Sequence, residues 1–113
     1  MPKDLTINYI ELPVTDVAAA KRFYGKAFGW TFEDYGPDYA SFRDGQMDGG
    51  FRKEPAVVTG GPLVVLYAKD LDAMVKAVSA AGGKIARPIF SFPGGKRFHF
   101  HDPSGNELAV WSD

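Results

Sequence analysis

Apolar positions along this chain switch between two periods in a repeating order. Residues 6–14, TINYIELPV, set Ile10, Leu12 and Val14 against Tyr9, Glu11 and Pro13. That alternation marks a strand with one buried face. Thr15 and Asp16 then offer N-capping oxygens, and Val17, Ala20, Phe23, Tyr24, Ala27 and Phe28 recur at helical spacing as far as Gly29, which suits a left-handed helix stop. Short strands are predicted at 30–35, 39–44 and 48–53, punctuated by Gly36, Pro37 and Gly45.

After the connector EPAVVTGGP at 54–62 the same order restarts. LVVLYA at 63–68 reads as a strand and Asp70 as a cap. Leu71, Met74, Val75, Val78 and Ala81 form an amphipathic stripe ended by Gly82 and Gly83, and strands follow near 84–89, 96–101 and 106–111. LPVTDV superposes on LYAKDL with a shift of 70 − 16 = 54 residues, and the same shift carries Ala27-Phe28-Gly29 onto Ala81-Gly82-Gly83. Self-similarity of this kind predicts a duplicated βαβββ unit: a first module over about 5–53, a linker at 54–62 and a second module over 63–113, together one domain. Neither unit can close a core alone. The expectation is therefore an α+β fold with helices on the outer face of a curved mixed sheet and a cavity on the other face.

Composition narrows the function classes. The chain has 113 residues, 45% hydrophobic and 24% charged, and a formal net charge of −1 with interspersed signs. No nucleic-acid groove and no membrane surface is expected. Without cysteine, disulfides, thiolate zinc sites and cysteine nucleophiles are excluded. No stretch approaches the ~20 apolar residues of a membrane span, the N-terminal segment lacks the apolar run of a secretory signal, and a cytoplasmic location is expected.

The candidate chemistry centres on KRFHFHDPSGNELAVW, 96–111, which holds the only two histidines, His99 and His101. An HxH pair on a strand shares one face, and with Asp102 and Glu107 nearby it raises the question of a metal. Parity sends Arg97 and His99 towards the cavity and Phe98 and Phe100 towards the helices. His101, at the strand end, is expected to bond a turn carbonyl or Asp102. The same parity turns Tyr9, Glu11, Tyr67 and Trp111 inward, so three aromatics, a carboxylate, a guanidinium and an imidazole line one wall. That set suits a flat or apolar small molecule. An inward Glu11 is either paired with Arg97 or a general base. PGGKRF at 93–98 is followed by no helix and is read as a hairpin at the cavity mouth rather than a phosphate cradle.

The duplicated unit, the opening LPVTDVAAAKRFYGKAFGW and the closing DPSGNELAVW resemble the vicinal oxygen chelate superfamily, which includes glyoxalase I, the bleomycin- and fosfomycin-resistance proteins and the extradiol dioxygenases. The resemblance implies a sheet curled into a U around a cavity, often completed by dimerisation, and in metal-dependent members four ligands, one on the first and one on the last strand of each unit. Those positions here hold Tyr9, Leu63, Ala109 and, on the 48–53 strand, Gly50 or Phe51. A phenol with a reference pKa near ~10 is a poor anchor for an ion without better donors beside it. The expectation is a metal-free, cofactor-free homodimer that binds a small apolar or aromatic molecule through Tyr9, Tyr67, Arg97 and Trp111. The alternatives are a metal-independent lyase or isomerase with Glu11 or His99 as base, and a metal-dependent enzyme with a non-standard site at His99 and His101.

Overall fold

The computed structural model describes residues 3–113, in which the order βαβββ occurs twice. The first half comprises β1 (Tyr9–Val14), α1 (Val17–Phe28), β2 (Thr31–Asp34), β3 (Tyr39–Arg43) and β4 (Asp48–Lys53). The second comprises β5 (Val64–Tyr67), α2 (Leu71–Ala80), β6 (Lys84–Phe92), β7 (Gly95–His101) and β8 (Glu107–Ser112). Each half makes a four-stranded mixed sheet, in the orders β1-β4-β3-β2 and β5-β8-β7-β6, with β1–β4 and β5–β8 parallel. The sheet is thus built as two separately hydrogen-bonded halves.

Local chemistry explains the helices. Asp16 accepts a bond from the Ala19 amide at 3.0 Å, and Gly29 closes α1 with φ +73°. Asp70 caps α2 through the Ala73 amide at 3.0 Å; α2 ends on Ala81 in ordinary helical conformation, followed by Gly82 at φ +101°. An aromatic stack of Tyr24, Trp30 and Phe42 links α1 to its sheet, with 4.6 Å between successive ring centroids. Phe23 reaches across to Phe100 in the other half at 5.9 Å, so both halves share one core.

β6 is three residues longer than the alternation predicts. Its pairing with β7 slips between Ile85 and Arg87 and again between Arg87 and Phe90, around Pro88. Proline donates no ladder bond, and an irregularity there is how an edge strand accommodates it.

The DPSGN turn also joins the halves. Asp102, 5% exposed, accepts bonds from the amides of Ser104 and Asn106, the Asn106 side chain and the Tyr24 hydroxyl. Asn106 also donates to the Pro13 carbonyl at 2.7 Å, and the Thr15 amide donates to Ser104 Oγ. Among the described residues no helix is long and apolar enough to cross a membrane.

Candidate functional site

Period-two alternation sorts the site from the core. On β1, Leu12 and Val14 are buried while Tyr9 and Glu11 remain exposed on the concave face. Glu11 stands opposite Gly50, Gly50 opposite Ser41 and Ser41 opposite Glu33, giving one row across four strands. Phe51, at 0% exposure, belongs to the core, so Gly50 is the concave residue of its pair. A Cβ on Gly50 would collide with the Tyr39 hydroxyl and lie 2.6 Å from the Tyr9 hydroxyl. The two phenols occupy the space its missing side chain leaves.

Tyr9 and Tyr39 are hydrogen-bonded at 2.6 Å, and Tyr39 donates to Glu11 Oε2 at 2.9 Å. Burial, followed by the bonds to Tyr9 and Glu11, pushes the Tyr39 hydroxyl far above its ordinary value. Glu11 Oε1 pairs with Arg52 at 3.3 Å, and Arg52 also holds Glu54 at 3.1 Å. The expected Glu11–Arg97 pair does not form. Arg52 lies two residues beyond Gly50 on the neighbouring strand and reaches Glu11 diagonally, whereas the Arg97 guanidinium lies 5.4 Å from the Phe90 and Phe92 rings.

In the second half, His99 is 5% exposed and packs against Phe90 at 5.7 Å. Its Nδ1 lies 2.7 Å from Glu107 Oε2, and His101 Nε2 lies 3.5 Å from Glu107 Oε1. The turn partners expected for His101 are thus replaced by Glu107, because Asp102 is already filled by Tyr24, Ser104 and Asn106. The His99 bond, stronger than the opposing burial, holds the Glu107 carboxyl below its ordinary value. A carboxylate only accepts, so neutral His99 carries its proton on Nδ1 and presents Nε2 as an acceptor. That Nε2 is buried with no partner, as is Arg97 Nε. Tyr67 packs edge-on against Trp111 at 5.2 Å and donates to Asp113 at 2.7 Å; Trp111 also meets Phe92 at 6.3 Å.

Three clefts follow from this arrangement. One of about 500 Å³ brings Glu11 and Pro13 together with His99, His101 and Glu107 under the 57–63 segment. A second, about 710 Å³, lies over the first sheet among Tyr9, Glu33, Tyr35, Tyr39 and Ser41. The third, about 630 Å³, runs between the halves past Trp30, Met74, Val65, Tyr67 and Trp111. The residues expected at one wall are divided among these clefts, Tyr9 in the second, Glu11 and His99 in the first, Tyr67 and Trp111 in the third, and Arg97 lines none of the three. Tyr39, Tyr35, Arg52 and Glu33 were not singled out from sequence, although the alternation of Tyr39, Ser41 and Arg43 with buried Ala40 and Phe42 carries the parity of Tyr39.

The metal positions do not fit a metal. Tyr9 is bound to Tyr39, Gly50 has no donor, Leu63 is an exposed aliphatic and Ala109 is a buried methyl. His99 and His101 converge on Glu107 instead of aiming at one empty point, and among the described residues no three His, Cys, Asp or Glu side chains are placed to hold an ion.

Likeness to known proteins supplies the family. The putative glyoxylase CFP32 of Mycobacterium bovis is 31% identical over 117 residues, covering 94% of this chain and 45% of that protein. The chain thus spans about half the length of the first curated relatives it matches. A glyoxylase-like domain-containing protein of Didymella fabae is 30% identical over 118 residues, covering 92% of this chain and 91% of that one. The crystal structure of a glyoxalase-related enzyme from Fulvimarina pelagi shares the fold with a TM-score of 0.81 at 23% identity, covering 96% of this chain and 88% of that one. Residues 6–110 match the sequence profile of one superfamily, and the chain belongs to it: Glyoxalase/Bleomycin resistance protein/Dioxygenase.

Proposed function

We propose that this chain binds a small apolar or aromatic molecule on its concave face, without the metal that many members of its superfamily use. The observation that carries the reading is the occupancy of the four ligand positions by Tyr9, Gly50, Leu63 and Ala109, with a phenol pair lying over Gly50. What remains on the concave side is aromatic surface at Tyr67 and Trp111 beside sparse polar groups, the composition of a binding cleft. Fold alone does not decide between container and catalyst. We also read the working form as a homodimer.

Elemental analysis of dialysed, tag-free protein tests the first part, and well under one transition-metal ion per chain is expected. A ligand screen followed by calorimetry tests the second. Trp111→Ala and Tyr67→Ala should lower affinity for the hits more than His99→Ala or Glu11→Gln do. One tightly held zinc, nickel or iron per chain, lost in His99→Ala, would sink the metal-free reading.

A second reading is favoured by one specific observation, the buried and unpartnered Nε2 of His99 backed by Glu107. An imidazole oriented by a carboxylate is the arrangement of a general base, and a metal-independent lyase or isomerase would use it. Glu11 is the weaker candidate because both its oxygens already accept bonds. Turnover abolished by His99→Ala with ligand affinity unchanged would select this reading.

A further inference from the structure

The hydrogen-bond direction over the first sheet specifies a ligand class. Glu11, ionised, only accepts, so the single Tyr39 proton goes to Glu11 at 2.9 Å. In the 2.6 Å contact between the phenols, Tyr9 must then be the donor. The protons of both tyrosines are committed towards the carboxylate, and the Tyr9 oxygen is left with lone pairs only. A chain of hydroxyls ending on an anion polarises outward, which makes its free end a stronger acceptor. Burial and the same bonds hold the Tyr39 proton in place.

The surroundings favour a positive charge at that end. Glu33 lies in the same cross-strand row as Glu11, and among the described residues its carboxylate has no cation within salt-bridge distance; its side-chain bond is from the Tyr35 hydroxyl at 2.9 Å. The two nearby guanidiniums are already paired, Arg43 with Asp48 at 2.9 Å and Arg52 with Glu11 and Glu54. Tyr9, Tyr35 and Tyr39 line the cleft of about 710 Å³, and aromatic faces attract cations.

We propose that the cleft over β1–β4 takes a ligand with a protonated primary or secondary amine, which donates to the Tyr9 oxygen and sets its charge against Glu33. The proposal rests on the reading of the concave face as a binding cleft. An amine there would read the ligand's polar end, while an aromatic or apolar body lies on tyrosine rings.

Calorimetric or NMR titrations with phenethylamine, phenethyl alcohol and phenylacetate at neutral pH test it, since the three share a body and differ in the charge of the head. The amine should bind about tenfold more tightly than the alcohol, roughly the effect of one charge-assisted hydrogen bond. Tyr9→Phe and Glu33→Gln, both at exposed positions, should each remove most of that preference by weakening the amine far more than the alcohol. An alcohol or carboxylate that binds as well as the amine overturns the proposal, as does an amine preference that survives both substitutions. Failure of the binding reading itself looks different. If neutral aromatic hits bind and are lost in Trp111→Ala while the amine shows no preference, only the amine proposal falls; if no molecule of any class binds, both fall.

Discussion

Glu107 is the residue on which two imidazoles converge, and its ionisation couples the site to stability. Its carboxyl is held below the ordinary value of 4.5, chiefly by the His99 bond. A carboxyl with a depressed folded-state pKa contributes stability that is present above the unfolded value and is lost as pH falls through the folded one. Thermal melts between pH 6 and pH 3 should therefore show a loss of stability that begins near pH 4.5 and is smaller in Glu107→Gln. An identical acid profile in that variant would break the link. His99 and Glu107 were visible in the sequence as neighbours of one motif. Their pairing was not, because it depends on His101 standing opposite Glu107 across β7 and β8, with His99 two residues back along the same face.

At the scale of an element, β4 shows how one strand serves two faces. Gly49 and Gly50 are adjacent and both buried, yet they answer to different neighbours. A Cβ on Gly49 would collide with the Ile10 carbonyl and the Phe42 ring, inside the core. Backbone cannot yield as a side-chain tip can, so Gly49→Ala should destabilise by about 1–3 kcal/mol in chemical denaturation. On Gly50 the obstacles are the hydroxyl ends of Tyr39 and Tyr9, which can swing away. Gly50→Ala should keep the denaturation midpoint near that of the parent and abolish the amine preference, because the phenol pair is displaced. The strand itself is legible in the sequence, as is the absence of a ligand on it. Which of Gly50 and Phe51 faces the cavity is decided only by its register against β1.

For the whole molecule, the bond from Tyr24 to Asp102 joins α1 to the last turn. Burial first, then the charge and hydrogen bond of Asp102, raise the Tyr24 hydroxyl well above its ordinary value. A phenol whose folded-state pKa is raised contributes fully below the unfolded value of ~10, and that contribution is lost as pH climbs beyond it. Tyr24→Phe should cost about 1.5–3 kcal/mol at neutral pH, the range for a bond to a charged group, and flatten the alkaline loss of stability. Association is the other property at this scale. β1 and β5 each leave an edge unpaired, and Leu63, Val65 and Tyr67 are 39%, 43% and 54% exposed along one of them. Light scattering should give twice the 12.3 kDa chain mass, and a stable monomer at micromolar concentration would contradict the homodimer.

Periodicity was sufficient to determine the doubled βαβββ order, the capping of both helices and the core-facing residues of β1, β7 and β8. These are local properties: a strand alternates and a helix cap bonds its own first turn whatever lies farther along the chain. The substitutions at Tyr9 and Ala109 were equally readable, since each is a single residue in a short motif, whereas on the 48–53 strand the choice between Gly50 and Phe51 waited on register. Only the tertiary structure decided which polar groups meet. Arg52 rather than Arg97 holds Glu11, Tyr39 lies over Gly50, Glu107 gathers both histidines, and Asp102 reaches Tyr24. Each such meeting depends on strand register, or on the docking of one half against the other. A one-residue slip of register would turn every side chain to the opposite face, and no local pattern encodes the partner strand's position.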